Sequence, residues 1–133
     1  MSNFKEKTFH IFFDGQIYDA YSLLMDIFAK SNNEIIIVDN YINKKILDIL
    51  ANTKKQVILI TNKYNNQDYT NYQKQYNNIT LKINSNMHDC YLIIDRMILY
   101  HCGASFKDIG HKCFAITKVE DSDALNNLLQ KII

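Results

Sequence analysis

Short apolar runs alternate along this chain with longer stretches whose apolar residues return every three or four positions. Thr8 to Phe13 is a compact β-type run that stops at Asp14-Gly15, a turn dipeptide. From Ile17 onward, Ala20, Leu23, Leu24, Ile27 and Phe28 recur at helical spacing until Ser31-Asn32-Asn33 breaks the pattern. Glu34 to Val38 then reads as a buried strand, closed by Asp39-Asn40-Tyr41. Ile42, Ile46, Leu47 and Leu50 form the apolar face of a second helix, and Val57 to Thr61 makes a third strand. This strand-helix-strand-helix-strand series predicts a largely parallel sheet with helices packed on its faces.

The polar tract Asn62 to Asn78 predicts a loop holding one short helix near Thr70 to Gln75. Ile79 to Ile83, Cys90 to Asp95 and Ile98 to Cys102 predict three further strands, the last two joined through Arg96-Met97 as a hairpin. Cys113 to Val119 adds another, and Asp121 or Ser122 caps a final helix running through Leu125, Leu128, Leu129 and Ile132. The expected class is α/β, with a mixed, largely parallel sheet flanked by helices. At 133 residues the chain has the size of one domain, with polar Met1 to Lys7 as a flexible start.

Composition narrows the partners. An apolar fraction of 47% is that of a globular protein, and no apolar run approaches the roughly 20 residues of a membrane helix, so no membrane partner is expected. A formal charge of +1 gives no global attraction to nucleic acid, so a phosphate-binding surface must arise from local clustering. Met1 to Lys7 lacks the apolar core of a secretory signal, which points to the cytoplasm. Three cysteines, odd in number and without a C-x-x-C pair, then read as reduced thiols, with neither a disulfide framework nor a zinc site.

The chemistry concentrates between residues 87 and 108. His88 stands at the mouth of the apolar run Cys90 to Ile94, Asp95 ends it, and Gly103-Ala104-Ser105 follows as a small-residue turn carrying a hydroxyl. Period-two alternation puts His88, Cys90 and Leu92 on one face. The Ser105 hydroxyl and backbone N–H suit a phosphate near a helix start. His101, on the neighbouring strand, either lines the same pocket or is an edge-strand polar residue. His111, between Lys107 and Lys112, reads as part of a solvated loop or as a phosphate contact. Asp14 and Asp39 follow short strands, and in a parallel sheet such ends cluster where ligands bind, with Tyr41 beside them; turn chemistry alone accounts for both aspartates equally well. Asp95 reads as a turn residue ahead of the hairpin. Tyr69, Tyr72 and Tyr76 either stack bases or belong to an amphipathic surface helix. A nucleophilic or redox-sensitive Cys90 is the lesser alternative.

The order His88-Asp89-Cys90 to Asp95, followed by Gly103-Ala104-Ser105, resembles the H-x-K-x4-D signature of the phospholipase D-like superfamily with its G-S-x-N segment. His88, Asp95 and Ser105 match, Cys90 stands at the lysine position, and Lys107-Asp108 falls near the final Asn. The resemblance implies a histidine nucleophile that forms a phosphohistidine, and a second histidine, from another motif copy, that protonates the leaving group. It implies no metal or other cofactor, because lysine and small polar donors offset the charge on phosphorus-bound oxygens. One motif per chain then implies a homodimer in which two copies of His88 meet across a twofold axis. The missing lysine implies weak or absent hydrolysis, with Lys107 or Lys112 as compensating cations. His88 is accordingly the candidate catalytic residue, and Cys90, Ser105, Lys107, Gly103, His101, Asp14 and Tyr41 are the candidate phosphate-binding set. Where the resemblance expects a carboxylate to hold the histidine, Thr117-Lys118 stands, leaving Glu120, Asp14 or Asp39 to be supplied by the fold.

Phe12 to Tyr21, Ile35 to Tyr41 and Tyr100 to Lys112 are also similar to a small phospholipase D-like domain found at the C-terminus of phage and mobile-element regulatory proteins, behind a DNA-binding module; no such module is expected ahead of the domain here. The expected function is a phage-linked, homodimeric domain that binds a phosphodiester of nucleic acid or a nucleotide. The alternatives are a metal-independent nuclease or phosphodiesterase and a protein-interaction module in phage defence or counter-defence.

Overall fold

A computed structural model describes residues 8–133. Met1 to Lys7, expected as a flexible start without a secretory signal, lie outside the described residues. The chain runs β1 (Phe9–Phe12), α1 (Ile17–Ala29), β2 (Ile35–Val38), β3 (Tyr41–Ile42), α2 (Lys44–Thr53), β4 (Val57–Thr61), β5 (Lys63–Tyr64) and α3 (Asn66–Gln73). It continues with β6 (Ile79–Ile83), β7 (Cys90–Ile94), β8 (Ile98–Cys102), a 3-10 turn (Phe106–Asp108), β9 (Phe114–Val119) and α4 (Ser122–Ile132). The α/β expectation is met. Seven strands form one sheet in the order β1-β9-β8-β7-β2-β4-β6, with β3 and β5 paired separately.

The sheet is mixed. The segment from β2 to β6, with α2 and α3 as its crossovers, builds the parallel part, β2 beside β4 beside β6, while β7, β8, β9 and β1 add antiparallel neighbours, so that β1 of the expected parallel series lies at the opposite edge. In direction, β1, β8, β2, β4 and β6 run one way, and β7 and β9 oppose them. Strand β2 is buried on both faces, which is why Ile35 to Val38 is apolar without alternation. One of its faces packs with Leu24, Phe28, Leu50, Leu92, Phe106 and Phe114 beneath α1 and α2. Its other face, Ile36 and Val38, meets Ile60, Ile93 and Leu99 under Leu125, Leu128 and Ile132 of α4.

Caps fix the helix starts. The Asn43 side chain accepts from Ile46 N–H at 3.3 Å, and Asn65 accepts from Asp68 N–H at 2.9 Å. Of the two candidates for α4, Asp121 is the cap, accepting from Asp123 N–H at 3.0 Å and Ala124 N–H at 3.1 Å. Helix α3 begins four residues before its expected place because Asn65 caps it there. Tyr72 in this helix is buried, its hydroxyl donating to Asn78 Oδ1 at 2.6 Å, and Tyr76, just beyond the helix, lies against the Tyr72 ring.

The β7–β8 turn uses left-handed backbone at Asp95 (φ 53°) and Arg96 (φ 57°), so the bend begins one residue earlier than Arg96-Met97. Asp95 then works as the expected turn residue. Its carboxylate accepts from Asn32 N–H and Asn33 N–H at 2.8 Å, Glu34 N–H at 2.9 Å and Ser31 Oγ at 3.1 Å, while Arg96 pairs with Glu34. These donors hold its pKa down at about 2. One glycine is sterically obligatory: at Gly110 (φ +81°) a Cβ would meet Ile17 Cγ1 at 2.1 Å.

Candidate functional site

Topology brings distant residues to one sheet edge. Because β7 runs against β2 and β8, the start of β7 lies beside the ends of β2 and β8. Asp39 follows β2, His88 and Asp89 precede β7, and Gly103 to Ser105 follow β8. They surround an open cavity of about 270 Å³ that is also lined by Tyr41, Cys90, Cys102 and Lys107. Of the expected set, His88, Cys90, Gly103, Ser105, Lys107 and Tyr41 share this cavity.

Asp39 organises the cavity. It is only 1% exposed, yet Ser105 Oγ donates to its two carboxylate oxygens at 2.8 and 2.9 Å, Phe106 N–H donates at 2.8 Å and Tyr41 N–H at 3.1 Å. Burial pushes the Asp39 carboxyl above its usual range, more than the Phe106, Ser105 and Tyr41 hydrogen bonds and the Lys107 charge pull it down. The fold therefore supplies a carboxylate from Asp39, one of the three candidates, but its observed partner is Ser105. His88 is exposed, at the rim of the cavity.

The arrangement of Ser105 has a chemical consequence. A hydroxyl has one proton, and at Ser105 that proton is directed at Asp39, with the Tyr41 carbonyl a second acceptor at 3.3 Å. Donation from Ser105 to an incoming anion requires Asp39 to be protonated or the hydroxyl to turn. The other cationic and polar groups sit around Tyr41: Lys107 Nζ lies 5.5 Å and Lys63 Nζ 5.6 Å from the ring centroid. Lys107 also approaches Asp108 at 3.5 Å. Lys112, the alternative cation, lies 4.0 Å from Asp108 on the exposed loop and does not line the cavity, and His111 is exposed on the same loop.

Cys90, where the sequence resemblance expects a lysine, is 7% exposed and faces Cys102 across the β7–β8 ladder. Burial pushes its thiol well above the usual range, reinforced by the Cys102 sulfur and by the Asp39 and Asp89 charges. That is the opposite of an activated thiol.

Two expected residues lie elsewhere. His101 precedes Cys102 in an alternating strand and so emerges on the opposite face, with its ring 5.4 Å from Tyr91 and its Nε2 3.9 Å from Asp89. Asp14 is in the turn after edge strand β1, separated from β7 by β9 and β8. Lys63, which the sequence did not single out, comes near Tyr41 through the β3–β5 ladder and does not itself line the cavity. Among the described residues no group of three or more His, Cys, Asp or Glu is arranged to hold a metal ion, and no helix is long and apolar enough to cross a membrane.

The chain shares its fold with several solved structures, one of them of a phospholipase D family member. NucT from Helicobacter pylori superposes with a TM-score of 0.64 at 17% identity, covering 92% of this chain and 91% of that one. Nuc from Salmonella typhimurium, a phospholipase D family member, gives 0.61 at 12% identity with the same coverages, 92% and 91%. TrmBL2, an archaeal chromatin protein whose structure shows a mode of DNA binding, gives 0.55 at 12% identity over 94% of this chain and 50% of that one. No family model and no curated protein matches the sequence. At these identities the likeness is one of fold.

Proposed function

We propose that this domain binds a phosphodiester, from a nucleotide or nucleic acid, at the Asp39–Ser105 cavity, with hydrolysis weak or absent. The observation that carries this reading is the convergence of His88, Ser105 and Lys107 on one cavity with Cys90 in the motif-lysine position. Lys107 and Lys63 around Tyr41 provide positive charge, while the buried thiol provides none. The names of the neighbouring structures, a phospholipase D family member and a DNA-binding chromatin protein, favour a phosphodiester over other anions. The protein works as a homodimer in the cytoplasm in this reading, with two copies of His88 facing one ligand. A phage or mobile-element setting rests on the sequence resemblance alone.

The competing reading is a metal-independent phosphodiesterase, and the exposure of His88 at the cavity rim favours it. One experiment separates the two: titrate labelled single-stranded DNA, and assay bis-p-nitrophenyl phosphate cleavage with EDTA present, for the wild type, His88→Ala and Ser105→Ala. Binding that Ser105→Ala weakens, without turnover, supports the binding domain. Turnover that His88→Ala removes establishes the enzyme. Neither binding nor turnover would refute both.

A further inference from the structure

A second cavity, of about 660 Å³, shares the wall made by His88 and Asp89 with the first. It lies between the β6–β7 connection and α4, and its lining differs in kind. Asn84, Asn86 and Asn127 line it, with Asn84 Oδ1 already accepting from Asn86 N–H at 2.9 Å, Tyr91 and Met87 supply apolar surface, and Lys131 is its one lysine or arginine among the described residues. Asp89 carries the opposite charge on the same lining and is approached by the Tyr91 hydroxyl at 3.4 Å and by His101 at 3.9 Å.

The lining decides what fits. The volume is that of an ordinary small-molecule site, roughly 300–1,000 Å³. A second phosphate would need more cations than Lys131 offset by Asp89. An acyl chain would need a continuous apolar trough, which amides on both walls interrupt. An uncharged heteroaromatic ring with donors and acceptors on its edge suits both features: asparagine amides pair a donor with an acceptor, and tyrosine and methionine pack against ring faces. The shared His88 wall puts such a ring next to the phosphate held in the first cavity.

We propose that this cavity is a nucleobase subsite, so that the bound diester is a nucleotide whose phosphate lies at Ser105 and His88 and whose base seats between the Asn84–Asn86 segment and Asn127. This inference rests on the phosphodiester reading above. A dinucleotide and a nucleic-acid strand offer the same chemistry and differ only in length.

The test is an NMR titration with dimethyl phosphate, dinucleotides of each DNA base and longer oligonucleotides, on the wild type, Ala124→Trp and Asn127→Leu. Ala124 is partly and Asn127 fully on the outside of α4, and the spectra themselves report whether each variant is folded. The best dinucleotide is expected to bind about tenfold or more tightly than dimethyl phosphate, the gain of one stacked and hydrogen-bonded base. Ala124→Trp should fill the cavity and remove that gain, and Asn127→Leu should reduce it, while dimethyl phosphate affinity stays the same. An oligonucleotide that binds still more tightly identifies a strand as the source, and equal affinity identifies the dinucleotide; both support the subsite. Equal affinity for dimethyl phosphate and every dinucleotide, or variants that weaken both ligands alike, overturns the subsite and leaves the phosphate site standing. If no diester binds, and Ser105→Ala changes nothing, the phosphodiester reading fails and the subsite falls with it.

Discussion

Ser105→Ala should destabilise the protein in a way that depends on pH, and the dependence is the informative part. The substitution removes the hydroxyl that donates to Asp39 at 2.8 and 2.9 Å, leaving Phe106 N–H and Tyr41 N–H to hold a carboxylate that is 1% exposed. A hydrogen bond to a charged group contributes about 1.5–3 kcal/mol, and the half-buried position of Ser105 favours the lower end, about 1.5–2 kcal/mol. For a domain of this size that corresponds to a fall in Tm on the order of 5–10 °C. The sign with pH follows from Asp39. Its folded pKa is raised above 3.8 by burial, so its contribution to stability is fully present in acid and is lost as pH rises through the folded value. Removing the Ser105 donor raises that folded value further. The gap between variant and wild type is therefore full above both folded values, where Asp39 is ionised in both, and closes as pH falls below the wild-type folded value. Thermal unfolding of the two proteins across acid to neutral pH measures it. A gap of the same size at both ends, or none at neutral pH, would refute an ionised Asp39 held by Ser105.

Cys90→Lys restores an ammonium at the cavity floor; at about 5 Å and an effective dielectric of about 20 it attracts a phosphate by roughly 3 kcal/mol. Cleavage of bis-p-nitrophenyl phosphate in EDTA should rise on the order of 100-fold, at a stability cost of about 1–3 kcal/mol for overfilling a buried site, and His88→Ala should cancel the gain; a gain that survives His88→Ala would sink the paired-histidine mechanism. Asp95→Asn should lower Tm at neutral pH. Because the folded pKa of Asp95 lies at about 2 against 3.8 unfolded, the deficit should shrink as pH falls through that window, and a deficit constant down to the lower value would contradict its hydrogen-bond set. Titration with an aromatic disulfide reagent should show one fast thiol, exposed Cys113, followed by slow reaction of buried Cys90 and Cys102; a fast Cys90 would mean that its sulfur is open to the cavity.

The elements that came through clearly in the sequence were those whose burial repeats along the chain: α1 with Leu24, Ile27 and Phe28, and β2 with apolar residues on both faces. Strands β3 and β5 did not, because two-residue segments carry no period and exist only through the pairing of Tyr41 with Lys63. In the site, His88, Cys90 and Ser105 followed from motif spacing and alternation. The partner of Asp39 did not follow, since Ser105 lies 66 residues away and only the sheet order joins them. His101 lies on the side of its strand away from the cavity, and the sequence carried a cue to that: it alternates with Cys102, which lines the cavity.

The hydrogen bonds of Asp95 also change what its signature measures. His88 and Asp95 flank the five residues of β7, Cys90–Ile94, so at about 3.3 Å per residue the two ends stand roughly 20 Å apart, on opposite edges of the sheet. The histidine faces solvent chemistry at one edge, and the aspartate pins the α1–β2 turn at the other. Their separation is thus a ruler for one strand, and a single inserted residue would invert every inward side chain of β7. Spacing of this sort marks a shape, the length of the one strand that lies between the two residues.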